Sequence, residues 1–268
     1  MKRILLALFL CSNCWAGAIA QWKMNDNALS TTVVDSVGSH NGTFKDATGD
    51  PNTSAHDSTG KINGALDLDG TDDYIEVADH ADFSFGDGTD DSPFSISTWV
   101  YISNLNFWVV SKDTAGNSEW YLRFWTGKAL FRNLKLDGAA HQGRIYNTAL
   151  STSQWYHIVA TYDGGGGLTA HDGMKIYIDG VRKDDVDSNN GTYVAMDNGT
   201  APVYIGRLST DYADGLIDNV IIYNTELTQT QVTGLYNAGA GTENTSFDKN
   251  RRERYADRYR NNYRNRYN

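Results

Sequence analysis

The sequence predicts an all-β domain: two antiparallel sheets packed as a jelly-roll β-sandwich, with one short helix near the C-terminal end. Three observations carry this. Short apolar or alternating runs recur between spacers of Gly, Asn, Asp, Ser and Thr, the pattern of strands joined by turns. Only one segment joins a helix start signal to an apolar stripe. Among 33 acidic residues Asp outnumbers Glu by 28 to 5, which suits loops rather than helix surfaces, where Glu dominates.

The first 20 residues hold Lys2 and Arg3, an apolar stretch over 4–10, and Ala18-Ile19-Ala20 before Gln21. They read as a secretory signal peptide, too short to anchor in a bilayer, so a secreted, extracellular or cell-surface protein is expected. Cys11 and Cys14 lie inside this segment, and their C-x-x-C spacing is read as accidental. The mature chain is then expected to hold together without disulfides, by core packing or bound metal. No other run approaches about 18 apolar residues, so no membrane span is expected in it.

Residues 21–242 carry the domain. Strands are expected over 65–68, 74–77, 94–102, 107–112, 120–125, 130–136, 155–162, 175–178, 203–205 and 216–223. In FSISTWVYI, Phe94, Ile96, Thr98, Val100 and Ile102 point one way and Ser95, Ser97, Trp99 and Tyr101 the other. Both faces carry apolar or aromatic groups, so one is packed and the other partly covered. DLDGTDDYIEV holds four aspartates, but a calcium helix-loop-helix needs a glutamate at the twelfth position and flanking helices. A turn at Gly70 explains it more simply. Gly164 to Gly167 lack the Lys-Ser/Thr ending of a phosphate loop and read as a strand connection. The helix is placed after Thr228, which with Gln231 makes a capping box; Leu227, Val232, Leu235 and Tyr236 form its stripe and Gly239 its end. It is expected to cover an end of the sandwich.

Residues 243–268 form a tail of different character. From Lys249 on there are eight Lys or Arg against Glu253 and Asp257, with Tyr255, Tyr259, Tyr263 and Tyr267 every fourth residue. Removing its +6 and the +2 of the signal from the total of −10 leaves −18 on residues 21–248. Most of that charge reads as a solvated acidic surface. The tail cannot bury enough to fold alone. It suits an anionic polymer, or self-association with the acidic body of its own or a neighbouring copy. Nucleic acid is not an expected partner of this protein.

One strand raises a question. In GLIDNVIIYN, Asp218 stands among Leu216, Ile217, Val220, Ile221 and Ile222, where an isolated carboxylate is costly to bury. It should be a mistake, a hydrogen-bonded hub or a metal ligand.

Aromatic residues concentrate in NFWVVSKD and SEWYLRFWTGKALFRN. Alternation puts Tyr121, Arg123 and Trp125 on one side of their strand and Trp120, Leu122 and Phe124 on the core side. With Trp108 and Arg132 on adjoining strands they form a candidate ligand-binding surface; the alternative is an arginine stacked on its neighbours to cover the sheet. Catalysis finds less support. Glycoside hydrolysis needs two carboxylates at a set separation, and Glu76, Glu119, Glu226, Glu243 and Glu253 lie in no such pattern. There is no G-x-S-x-G, and His157 reads as a strand residue.

Several phrases then fall into one order: QWKMNDNALSTTVVDSVGSHNGT, INGALDLDGTDDYIEV, PFSISTWVYI, VVSKD, STSQWYHIVATYDG, MKIYIDG, VYIGR and DGLIDNVIIYNTELTQTQVTGLY. Over about residues 21–240 the chain resembles the laminin G-like, concanavalin A-like jelly-roll domains. The resemblance implies Trp22, Trp99 and Trp155 as packing residues. It also implies a structural calcium where the first and last strands meet, held by Asp35 and Asp218 with Asn41 and nearby carbonyls. Asn25 stands where such domains often have an acid, and Asp26 is a weaker candidate. Six to eight oxygens would suit calcium, whereas zinc asks for His or Cys, which are scattered here. The alternative for Asp218 is backbone N–H donors from an adjoining turn. The scaffold hosts lectins, adhesion modules and some enzymes. The expectation is a secreted, non-catalytic protein binding carbohydrate or a cell-surface partner, ahead of a structural component of an extracellular assembly and of a glycan-cleaving enzyme.

Overall fold

The computed structural model describes residues 17–26, 30–45 and 58–245. Cys11, Cys14 and all but the end of the expected signal lie outside the described residues, as does the basic Tyr tail beyond residue 245.

Two large antiparallel sheets face each other. The eight-stranded sheet runs Val181–Arg182, Met174–Ile178, Trp155–Tyr162, Phe94–Ile102, Asp214–Tyr223, Gly64–Asp69, Ser58–Thr59, with Ala18–Trp22 also paired to Asp214–Tyr223. The nine-stranded sheet runs Val186–Asn190, His141–Ile145, Lys128–Leu134, Asn117–Trp125, Phe107–Thr114, Val203–Ile205, Tyr74–Val77, Gly42–Lys45, Thr32–Val33. The jelly-roll sandwich read from the sequence is therefore the fold. The expected Gly70 turn, at φ +75, carries the chain from one sheet to the other.

The inward faces make one core that includes Phe94, Ile96, Val100, Trp120, Leu122, Phe124 and Phe131. Each such side chain contributes about 1.5–3 kcal/mol by leaving water. The opposite side of Phe94–Ile102 is covered as well, because the helix Gln229–Tyr236 lies across the outside of the eight-stranded sheet. Val232 and Leu235 join Val159, Tyr177, Ile221 and Tyr223 there, and Tyr236 stacks on Trp99 at 5.8 Å. The helix thus caps a sheet face rather than an end of the sandwich. Its capping box forms between Thr228 and Gln231, and Asn237 at φ 49 ends it. His157 is buried beneath, between Trp99 and Tyr236; burial lowers its pKa to about 3.

The strand Ala18–Trp22 pairs Ala18 with Tyr223 and Ala20 with Ile222. It begins three residues before the expected start at Gln21. The first and last strands of the domain are therefore neighbours.

Candidate functional site

The outer face of the nine-stranded sheet carries the aromatic group expected from the sequence. Trp120, Leu122 and Phe124 point into the core, and Tyr121, Arg123 and Trp125 point out. Register then builds the neighbourhood: Trp108 lies opposite Arg123 on one side, Leu130 opposite Arg123 on the other, and Arg132 opposite Tyr121. The Arg123 guanidinium sits 4.6 Å from the Trp108 ring, 4.8 Å from Trp125 and 5.2 Å from Tyr121. Such contacts are worth about 0.5–1 kcal/mol each where exposed, and more once desolvated. Arg123 makes no ion pair among the described residues, its Nε is buried without a partner, and burial lowers its pKa. Arg132 donates to Tyr121 Oη at 2.9 Å and to Ser188 Oγ at 2.9 Å. Trp108 and Tyr121 are nearly covered, whereas Trp125 is 49% exposed.

A second cage stands on the same face. Arg207 lies 4.4, 4.8 and 5.5 Å from the rings of Tyr74, Tyr204 and Tyr212. It belongs to a small hairpin, Arg207–Leu208 with Asp211–Tyr212, tied to the sheet by Ser111 Oγ donating to Arg207 O at 2.8 Å. Between hairpin and sheet lies a cleft of about 440 Å³ walled by Trp108, Trp125, Asp211 and Tyr212. On the other side of Trp125 a second depression of about 390 Å³ is lined by Arg123, Lys128, Leu130 and Arg132. Trp125 is the ridge between the two. The sequence holds no local sign of the Arg207 cage, in which Tyr74 lies at least 130 residues from the other members.

The three residues expected to gather calcium are split between two places. Asp35 Oδ1 accepts from the backbone N–H of Gln21, Val37 and Gly38, and its Oδ2 from His40, all at 2.9–3.0 Å. Burial alone would raise its pKa, but these donors bring it below 3.8. Asn41 Oδ1 accepts the Asp35 N–H, so both residues serve their own loop. Asp218 lies at a bulge in Asp214–Tyr223, where pairing with Phe94–Ile102 shifts and Asn219 takes φ 51. The bulge aims it at another loop, where Oδ2 accepts Ile62 N–H at 2.7 Å. Gly60 permits this approach, since a Cβ there would meet Asp218 Oδ2 at 2.9 Å, besides Gly64 O at 1.9 Å. Asp218 is fully buried and its Oδ1 has no partner. Burial, with the charge of Glu243 adding, raises its pKa to about 7. A calcium cage needs six to eight oxygens; Asp35 and Asn41 are already spent on N–H donors, and these three residues do not fit one ion.

With that geometry established, a family model described as the concanavalin A-like lectin/glucanases superfamily matches residues 69–233. The chain belongs to that superfamily. No match was found among curated proteins. Among solved structures, this concanavalin A-like domain is similar to domain 4 of AbnA, a GH43 extracellular arabinanase from Geobacillus stearothermophilus, in complex with arabinotriose. The identity is 24%, covering 82% of this chain and 98% of that one, at TM-score 0.59. It is also similar to the botulinum neurotoxin serotype D ligand-binding domain with N-acetylneuraminic acid, at 18% identity, 82% and 50% coverage and TM-score 0.55. The binding domain of Paraclostridial Mosquitocidal Protein 1 gives 17%, 83%, 52% and 0.57. The chain spans about half the length of these last two, and at such identities the likeness establishes the fold.

In this concanavalin A-like domain the described glutamates are all engaged. Glu76 pairs with Lys45, Glu226 with Lys175, Glu243 with Lys23, and the buried Glu119 with the buried Lys112 at 2.7 Å. No helix among the described residues is long and apolar enough to cross a membrane.

Proposed function

We propose that this concanavalin A-like domain is a secreted, non-catalytic binding protein whose ligand is a carbohydrate or a carbohydrate-bearing cell-surface partner. The observation that carries the reading is the half-exposed Trp125 standing between two depressions, with the caged Arg123 behind it. An indole ridge offers a flat apolar face to a sugar ring, and a guanidinium without a carboxylate partner offers charge and donors to hydroxyl or acidic groups. The pairing of each described glutamate with a lysine supports binding over hydrolysis, which needs carboxylates free to exchange protons. The arabinotriose and N-acetylneuraminic acid bound by two structural neighbours are in keeping with a sugar as ligand class. A glycan array of neutral and acidic oligosaccharides, read with wild type and Trp125→Ala, tests this. Signals that vanish in the variant support the site; signals that survive place binding elsewhere, and none with either protein refutes a glycan ligand.

A further inference from the structure

The folded chain brings together two histidines that lie 40 residues apart. His40 ends the loop after Thr32–Val33, while His80 and Asp82 flank the start of a short 3-10 turn, Ala81–Phe83. His40 Nε2 is 3.0 Å from Asp82 Oδ2, and His80 Nδ1 is 3.3 Å from the same oxygen. One ligating atom from each residue falls within 4.8 Å of the others. We propose that His40, His80 and Asp82 form a zinc-binding site on the surface of the sandwich.

Zinc takes nitrogen and oxygen ligands at 2.0–2.2 Å, so the edges of its tetrahedron are roughly 3.3–3.6 Å. The separations of 3.0 and 3.3 Å are near that and the third lies within 4.8 Å, so side-chain rotations supply the rest. His80 Nδ1 accepts the Asp82 backbone N–H at 3.2 Å; in that tautomer it carries a lone pair, and so does the facing Asp82 Oδ2. A metal ion takes up both lone pairs, displacing one long N–H contact.

The site is preorganised. His40 donates its backbone N–H to Asp35 Oδ2 at 3.0 Å, and its carbonyl accepts Trp22 Nε1 at 2.8 Å. Its ring meets Phe83 edge-on at 4.8 Å and lies 4.6 Å from the His80 ring. Asp35 thereby fixes a zinc ligand in place through the backbone. His80 and Asp82 are half exposed, which leaves the fourth position open to water. Two imidazoles and one carboxylate suit zinc and its transition-metal neighbours rather than calcium, which prefers an all-oxygen shell. The bound ion would pin the loop around residues 34–41 to the 80–82 turn.

The test uses untagged, chelator-stripped protein, titrated with zinc chloride by calorimetry, with cobalt as a spectroscopic substitute. Wild type is expected to bind one zinc, to melt higher with it, and to give cobalt the visible absorption of a tetrahedral site. His80→Ala and Asp82→Asn, both on exposed side chains, are expected to fold normally and to weaken zinc by at least about tenfold. Calcium chloride is expected to give no heat that these variants abolish. Failure of wild type to bind zinc one to one, or equal binding by wild type and both variants, overturns the assignment.

Discussion

Replacing Asp218 by asparagine separates the two answers to the question its strand poses. The carboxyl is fully buried, and its pKa is carried from 3.8 to about 7 by burial and the Glu243 charge. At 1.36 kcal/mol for each tenfold change in the proton equilibrium, keeping it ionised at pH 8 costs the fold about 4 kcal/mol. The sign follows from proton counting. Between pH 4 and 7 the folded chain holds a proton that the unfolded chain has released, so stability falls as pH rises through that window and levels off above it. Asparagine retains an oxygen for the Ile62 N–H but adds an amide N–H₂, worth about 1–3 kcal/mol if unpartnered. The variant is therefore expected to be more stable than wild type by about 1–3 kcal/mol at pH 8 and less stable at pH 4.5. Urea melts at the two pH values, with and without chelator, read this directly. Two results would refute the reasoning: a variant weaker at both pH values, or a wild-type melting temperature that chelator lowers and Asp218→Asn makes insensitive. The second would restore a calcium ion at this carboxylate.

Lys112 reaches Glu119, Asp79 and the Ala201 carbonyl at 2.7–2.8 Å from a fully buried position. Lys112→Met strands the buried Glu119 charge and is expected to cost about 3–5 kcal/mol in denaturant melts; a loss under about 1 kcal/mol would contradict it. Arg123→Ala should lose about 1–3 kcal/mol of stability by emptying the three-ring cage, whereas Trp125→Ala, half exposed, should stay within about 0.5 kcal/mol while lowering ligand affinity roughly tenfold or more. Calorimetric melts and a binding titration separate the two, and equal stability losses would show that Trp125 is a packing residue. A chain starting at Gln21 lacks the pairing of Ala18 and Ala20 with Tyr223 and Ile222. It should be less stable by about 1–3 kcal/mol than one starting at Gly17; identical melts would make that ladder irrelevant.

What could be read from the sequence follows the range of the interaction involved. Alternation along one strand is local, so the outward set Tyr121, Arg123, Trp125 and the inward set Trp120, Leu122, Phe124 are legible in the residues alone. Trp108 and Arg132 joined them because adjoining strands in sequence are neighbours in an antiparallel sheet. The Arg207 cage was not legible. Its tyrosines at 74 and 204 are brought together by the pairing of Tyr74–Val77 with Val203–Ile205, a contact that no periodicity announces. His40 and His80 lie 40 residues apart, so no local spacing marks them as a pair. Asp218 drew notice as an anomaly, but the bulge that turns it aside from the ladder depends on the backbone angle of Asn219, which hydrophobic patterning does not encode.

The calcium expectation rests on the first and last strands meeting, and they meet through a network of side-chain amides. Gln21 Nε2 donates to Asn219 Oδ1 at 2.8 Å and to Glu243 O at 2.9 Å. Asn219 Nδ2 donates to Thr242 O at 3.0 Å. Asn25 and Asn63 both donate to Glu243 Oε1, at 2.6 and 2.9 Å, while Lys23 faces its other oxygen at 3.4 Å. Asn25 is the residue that stands where similar domains often carry an acid. Its amide N–H₂ donates to the Glu243 carboxylate, and its Oδ1 accepts the Gly64 N–H at 2.9 Å. The first and last described segments of the domain are clipped by side-chain amides and a lysine, and Asp218 is left with one unpartnered oxygen beside them.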